Sequence, residues 1–301
     1  MIRKNILAFL FTTMFFLVMT TEVRAFDMDF SLPGGVKLNT AKMKEFGQKK
    51  ELSHGDFRDI TPEQEYYIGR SVSAVILNKY EISTNQRIHQ YINTIGNALA
   101  QASDRPETFS GYRFLVLDSD EINAMAAPGG FIFVTRDLLA CCKTEDAIAA
   151  VLAHEISHVQ HKHALQAIHK SRQTKLASAL VIPGTSTYSK GTLSDLTHTF
   201  DKSISDIMAT LTDSGYSHKQ EDQADRDAVT ILQRIGYNPN CFIDALQLMQ
   251  PRTHSGDKGF PKTHPNPSER IRLIKEIIGG YTKPKIPAAR KFRFMAMTGS
   301  M

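Results

Sequence analysis

His154 and His158 stand four residues apart, with Glu155 directly after the first, in the run His154-Glu155-Ile156-Ser157-His158. On an α-helix, positions i and i+4 lie one above the other, so the two imidazoles can face one metal ion. Glu155 falls at the edge of that face, within reach of a water held by the metal. Two nitrogen donors, an open coordination position and a carboxylate base are the parts of a hydrolytic zinc site. The competing reading is a surface helix that carries two histidines by chance. Ile148, Leu152, Ile156 and Val159 argue against it, because they repeat at helical spacing and predict a helix packed into a core. Polar groups on such a helix need partners.

A catalytic zinc takes a third protein donor. The segment from Ser217 to Ala228 carries Glu221 and Asp225 four residues apart, with Ala224 and Ala228 alongside to permit close helix approach. Val229, Leu232 and Ile235 supply its apolar stripe. On this reading Glu221 binds the metal and Asp225 accepts the free ring N–H of a ligand histidine from behind. Alone, the segment reads more readily as a solvated charged helix. Beside the histidine pair, the metal reading prevails.

These residues need a scaffold. Thr61-Pro62-Glu63-Gln64 joins an N-cap threonine, a proline at the first helical position and a glutamine at the third, so a helix is predicted from there to about Lys79. A second helix follows Ser83, with Ile88, Ile92, Ile95 and Leu99 on one face. Tyr112–Leu117 and Phe131–Val134 are aromatic and branched enough for buried strands. Pro128-Gly129-Gly130 reads as the turn joining the second of these to Asn123–Ala126. Small side chains and the proline ahead place Asn123, Ala124, Met125 and Ala126 at a sheet edge. Asp137 opens a short helix, and Thr144 caps the helix that carries His154. That helix is expected to run past His163 to about Leu176, turning His163 off the ligand face and leaving His161 and His169 in solvent. Residues 177–215 are rich in Ser and Thr and are expected to be mobile, with helical character near 193–211.

Arg3 and Lys4, the apolar run Ile6–Met19 and Val23-Arg24-Ala25 read as a signal peptide over residues 1–25. The run is shorter than the roughly twenty residues of a membrane span. The expectation is therefore export to the periplasm, with an uncleaved membrane anchor as the alternative. Residues 26–60 form an N-terminal extension, an arm or short helix. The formal net charge of +5 over 301 residues is too mild and too evenly spread for a nucleic-acid partner. In an oxidising compartment Cys141 or Cys142 can bridge to Cys241, but the odd number and the spacing fit no zinc knuckle, so the three read as structural or incidental. The basic tail, residues 282–301, lies on the domain, touches lipid or is disordered; peripheral membrane contact is one reading.

Taken together, His154-Glu155-Ile156-Ser157-His158, Glu221 with Asp225, Asn123-Ala124 to Pro128-Gly129-Gly130, and Thr263-His264-Pro265 with Arg270-Ile271 resemble the M48 family of zinc metallopeptidases. The likeness runs in order from about Thr61 to Gly280, and is to periplasmic bacterial members and to the Oma1-type and Ste24-type catalytic domains. The chain lacks the several membrane spans and the tetratricopeptide repeats of some branches, and has Ser157 where many members carry glycine. The resemblance implies an α+β, mainly helical gluzincin domain over residues 61–281, with a small β-sheet whose edge strand borders the active site. It implies one zinc per chain on His154, His158 and Glu221, and a zinc-held water activated by Glu155. It implies further that Arg270 pairs with a site carboxylate such as Asp225. His264 is then either the electrophilic partner of the attacked carbonyl or a fourth zinc ligand that keeps the enzyme latent. The edge at Asn123–Ala126 would take substrate as an added strand, a mode suited to unfolded or misassembled envelope proteins. A chaperone-like or latent binding protein with a closed metal site is the alternative.

Overall fold

The computed structural model describes residues 30–31, 37–38, 60–168, 190–249, 263–264, 267–282 and 284–298. The expected signal segment, most of the 26–60 extension, His169 and residues 177–189 lie outside these. The chain divides into two units, residues 1–46 and 47–301. In the first, Phe30–Ser31 (β1) pairs antiparallel with Lys37–Leu38 (β2), Phe30 opposite Leu38.

The second unit begins where its capping signal predicts. Thr61 accepts the Gln64 N–H through its hydroxyl and returns its own N–H to the Gln64 side chain, so the helix Pro62–Lys79 (α1) starts with both donors satisfied. Gln86–Ala102 (α2) is capped by Asn85 and buries Ile88, Ile92, Ile95 and Leu99. Three strands follow: Arg113–Leu117 (β3), Ala124–Ala127 (β4) and Phe131–Thr135 (β5). Their order is β3-β5-β4, with β5 parallel to β3 and antiparallel to β4 through the Pro128–Gly130 turn. Among the described residues β4 is an edge strand, as its small side chains predict. Alternate side chains enter two cores. Phe114, Val116, Ala124, Ala126, Ile132 and Val134 face one; Leu117, Met125, Ala127 and Phe133 face the other, which α1 covers.

After the short helix Arg136–Cys141 (α3), Thr144 caps Glu145–Gln160 (α4) by accepting the Ala147 N–H at 3.1 Å. Only one buried stripe is predicted for this helix. Instead every residue from Glu145 to Val159 is buried, because α4 runs through the centre of the larger core with neighbours on all sides. Those neighbours include α2 and β4, then His218–Arg234 (α7) and Asn240–Met249 (α8), on which Pro267–Ile278 (α9) packs. Between α4 and α7 come His163–Gln166 (α5) and Lys190–Ala209 (α6), which ends in a π turn, Thr210–Ser214. No described helix is long and apolar enough to cross a membrane.

The tail folds as a helix, Ala288–Thr298 (α10), lying on the domain. Arg293 grips Glu145, and Arg290 approaches Asp146 while donating to the Gly236 and Ile235 carbonyls, so both basic groups are spent on the first turn of α4. The three cysteines are buried, and burial pushes the Cys142 thiol up to about 12.

The predicted continuation of α4 to Leu176 does not occur. The helix stops at Gln160, and Lys162 adopts a left-handed backbone, φ 55°, which is uncommon for a side chain of this kind. Tertiary contacts hold it there. The Lys162 ammonium donates to the Ile60 carbonyl at 3.2 Å and sits 3.5 Å from Glu65. Glu65 is fully buried in α1, takes a two-pronged bond from Arg105 and accepts the Gly129 N–H at 3.0 Å. One carboxylate thus ties α1, the end of α4 and the turn beside β4. Glu65→Ala leaves Arg105 without its counter-charge, and we expect a loss of roughly 3 kcal/mol, the low end for a broken buried pair because water still reaches Arg105. The urea midpoint measures it; an unchanged midpoint would remove Glu65 from the frame.

Candidate metal centre and active site

Helix α4 presents His154 and His158 one turn apart, as the spacing requires, and α7 brings Glu221 against them. The α7 start is well made: Ser217 caps the Gln220 N–H, and Gln220 returns to the Ser217 N–H at 3.0 Å. Ala224 and Ala228, both fully buried, let α7 approach α4 closely. Thr263 and His264 close the group from above. His154, His158, Glu221 and His264 each offer a donor atom, all within 4.8 Å of one another, and all four are buried.

The spacing of those atoms tests whether a zinc ion fits. Four donors at about 2.0–2.1 Å around a tetrahedral centre lie about 3.3–3.4 Å apart. His154 Nε2 is 3.0 Å from His158 Nε2, 3.2 Å from His264 Nδ1 and 3.4 Å from Glu221 Oε2. His158 Nε2 is 3.4 Å from Glu221 Oε1, and His264 Nδ1 is 3.0 Å from the same oxygen. His264 Nδ1 is also 3.1 Å from Glu221 Oε2, so with either Glu221 oxygen as the donor four edges of the tetrahedron are within a few tenths of an ångström of what the ion needs, and every pair of donors lies within 4.8 Å. Charge agrees. Glu155, Glu221 and Asp225 are buried together with one guanidinium, Arg270, and the surplus negative charge suits a dication.

Asp225 stands behind His154. Its Oδ1 lies 2.9 Å from His154 Nδ1, and Arg270 donates to both its oxygens, Nη2 at 2.7 Å and Nε at 2.9 Å. Burial works against the Asp225 anion, but the Arg270 charge and hydrogen bonds outweigh it and hold the carboxyl below its ordinary value. Glu221 is likewise opposed by burial and pulled well below the usual range by His264, Arg270 and His154 together. Both carboxylates stay ionised. The positions predicted for Glu221, Asp225, Arg270 and His264 thus converge in space, although His264 lies 110 residues from His154.

Glu155 differs. It is fully buried, and among the described residues neither carboxylate oxygen has a hydrogen-bond partner; His264 Nε2 is 3.7 Å away. Burial raises its pKa, opposed by His264 and His154. An orphaned carboxyl beside four convergent donors is a proton acceptor placed for chemistry rather than for stability.

The outer side of β4 runs past this site. Thr135 donates its N–H to the Asn123 carbonyl, so the alternation of an antiparallel ladder turns the main-chain groups of Ala124 and Ala126 away from β5. That side is covered. The Tyr216 hydroxyl donates to the Ala126 carbonyl at 3.5 Å, the Tyr216 N–H donates to the Thr263 carbonyl at 3.1 Å, and the Thr263 hydroxyl reaches Asn123 Oδ1 at 3.4 Å. Tyr216 also stacks on His158 at 4.0 Å. Nothing in the sequence marks Tyr216 for this place.

His163 and His161 correct the sequence reading. The break at Lys162 swings His163 back onto the site, where its Nδ1 lies 2.9 Å from His158 Nδ1, and burial pushes its pKa down to about 4. His161, expected in solvent, is half-buried against Asp227 and Gln223.

Comparison with known proteins agrees with this geometry. The model of Peptidase family M48 matches residues 86–278. The chain is similar to the beta-barrel assembly-enhancing protease of Yersinia pestis, 29% identical over 60% of this chain and 37% of that protein. It is equally similar to the Escherichia coli protein of that name, 29% identical over 60% of this chain and 37% of the relative. The mitochondrial metalloendopeptidase OMA1 of Schizosaccharomyces pombe is 31% identical over 51% of this chain and 43% of its own length. The chain thus spans less than half the length of these relatives.

The stranded Glu155 charge gives a measurable sign. A carboxyl whose folded pKa is raised stabilises the fold fully only below its unfolded pKa and loses that contribution as pH rises through the folded value. In metal-free protein at pH 7, Glu155→Gln should therefore be more stable than the parent by roughly 1–3 kcal/mol, with the gap closing as pH falls below the ordinary Glu range. Denaturant titrations at pH 7 and pH 4 measure both; a variant less stable than the parent at pH 7 contradicts the assignment.

Proposed function

The chain belongs to peptidase family M48, and on that footing we propose that it is a zinc-dependent endopeptidase acting on unfolded or misassembled proteins of the cell envelope. The observation that carries this reading is the buried donor tetrahedron of His154, His158, Glu221 and His264 beside the unpartnered carboxyl of Glu155. Residues 61–281 form the catalytic domain. His154, His158 and Glu221 hold the zinc, and Asp225, clamped by Arg270, fixes the ring of His154.

A zinc ion bound there supplies Lewis acidity, polarising a carbonyl and lowering the pKa of water. The protein groups do the rest. Glu155 accepts the proton of the attacking water and delivers it to the nitrogen of the leaving amine. Its raised pKa suits both halves of that transfer, since a base poised nearer neutrality also serves as the acid. The low-dielectric surroundings strengthen each charge interaction.

Substrate adds as an extended strand to the outer side of β4, along Asn123, Ala124, Met125 and Ala126. Main-chain pairing of this sort selects flexible, unfolded polypeptide more than a particular side chain. The reading as an envelope enzyme draws on the signal-peptide pattern of residues 1–25 and on relatives named as beta-barrel assembly-enhancing proteases.

His264 occupies the fourth corner of the donor set and, through Thr263 and Tyr216, the same segment covers the β4 edge. A catalytic zinc site keeps one position open, so this arrangement is the resting one; displacing residues 263–264 uncovers the metal, and the strand edge opens when Tyr216, which holds the Ala126 carbonyl, moves with them. The same closure favours the second reading, a latent binding protein whose metal site never opens.

Incubating purified protein with an unfolded polypeptide separates the two. We expect cleavage that is lost with chelator and falls at least about 100-fold in Glu155→Gln. Glu221→Ala should lose its zinc, and His264→Ala should cleave several-fold faster than the parent. Cleavage that survives Glu155→Gln removes the mechanism, and a slower His264→Ala reassigns that residue to the attacked carbonyl.

A further inference from the structure

The two ligand histidines are supported in different ways. His154 has its own buried carboxylate, Asp225. Among the described residues His158 has none in contact with Nδ1; that nitrogen faces His163. We propose that His158 is oriented from the protein surface by a chain of positioning residues, His163, Gln223, His161 and Asp227. This inference rests on the zinc reading for the donor cluster.

The polarity of the chain follows from its two ends. His158 Nε2 lies inside the donor cluster, 3.0 Å from His154 Nε2 and 3.4 Å from Glu221 Oε1. A metal there takes the Nε2 lone pair and leaves the ring proton on Nδ1. His158 Nδ1–H then donates to His163 Nδ1 at 2.9 Å, which must be bare. His163 therefore carries its proton on Nε2 and donates to Gln223 Oε1 at 3.2 Å. The same amide turns its nitrogen to His161 Nδ1 at 3.0 Å, so His161 in turn is protonated on Nε2 and donates to Asp227 Oδ2. A carboxylate has only acceptors to offer, and a metal-bound ring nitrogen has no proton to give. Every link is thus fixed in one direction; the Gln160 amide nitrogen, 3.3 Å from His161 Nε2, donates with it to the same Asp227 oxygen rather than to the ring.

The terminal carboxylate is itself held. Gln160 donates to Asp227 Oδ2 at 2.8 Å and Ser157 to the same oxygen at 3.3 Å, both from the last turns of α4. Packing reinforces the middle of the chain, with His161 and His163 stacked at 5.4 Å and 21°. The left-handed Lys162 is the backbone condition for the whole arrangement, since a continuous helix would carry His163 away from His158. A hydrogen-bonded partner on the far nitrogen fixes ring orientation and raises ligand basicity, and losing one typically costs 10–100-fold in metal affinity.

The test measures zinc affinity by competition with a fluorescent chelator and, separately, the His158 tautomer by ¹⁵N–¹H correlation in histidine-labelled, zinc-loaded protein. His163→Phe keeps the ring packing and removes Nδ1; it should weaken zinc about 10–100-fold. His163→Asn returns an acceptor to the Nδ1 position and should recover most of that loss. Gln223→Leu, at an exposed site outside the donor cluster, should weaken zinc several-fold while the thermal midpoint of metal-free protein is unchanged. In the parent, His158 should show its proton on Nδ1 as a downfield, hydrogen-bonded resonance, and in His163→Phe that resonance should move upfield. Parent-like affinity in His163→Phe and Gln223→Leu overturns the chain alone. A parent that binds no zinc overturns the zinc reading instead, and an Nε2–H tautomer of His158 in the parent overturns the chain whatever the affinities.

Discussion

Burying charge is the constraint on which this structure depends. Three carboxylates, Glu155, Glu221 and Asp225, and one guanidinium, Arg270, sit with three imidazoles in a space closed to water. An isolated ionised group would not survive there. Asp225 is neutralised by a two-pronged bond from Arg270, and Glu221 is stabilised by the histidines and the arginine around it. Glu155 is left over. The fold tolerates that carboxyl only because α4 is locked on every side, and a base with no structural employment is what peptide hydrolysis requires. Stability is thus given up at one residue and recovered in the frame around it.

That frame is a set of ties onto α4. Its first turn is gripped by α10 through Glu145 and Asp146, and its last turn by α7 through Asp227. Its C-terminus is turned by Lys162 against Glu65 and the Ile60 carbonyl. Each tie is polar, directional and long-range in sequence, so the helix is fixed in rotation as well as position. Rotation matters because a donor displaced by half an ångström leaves the tetrahedron. The ties also explain a fully buried helix in a chain whose local pattern shows only one apolar stripe.

Much of the site is legible in the sequence. His154, Glu155 and His158 announce themselves by spacing, the caps at Thr61 and Thr144 mark their helices, and the small residues of β4 mark an edge. Glu221, Asp225, Arg270 and His264 become readable through likeness to family M48. What is not legible depends on contacts far apart in the chain. No glycine or proline marks the break at Lys162, because its cause is a carboxylate in α1. The sequence pattern therefore puts His163 on the wrong side of a helix that does not continue, and His161 in solvent. Tyr216 carries no local signal at all. The parallel pairing of β3 with β5 is equally nonlocal, whereas the β4–β5 hairpin follows from its Pro-Gly-Gly turn.

The donor set is the claim from which the rest follows, and X-ray absorption at the zinc edge reads it most directly. In protein loaded with one equivalent of zinc, the account predicts four nitrogen or oxygen neighbours at about 2.0 Å, with the outer-shell scattering of three imidazoles, falling to two in His264→Ala. An oxygen-rich six-coordinate shell, or an imidazole number that His264→Ala leaves unchanged, would contradict it.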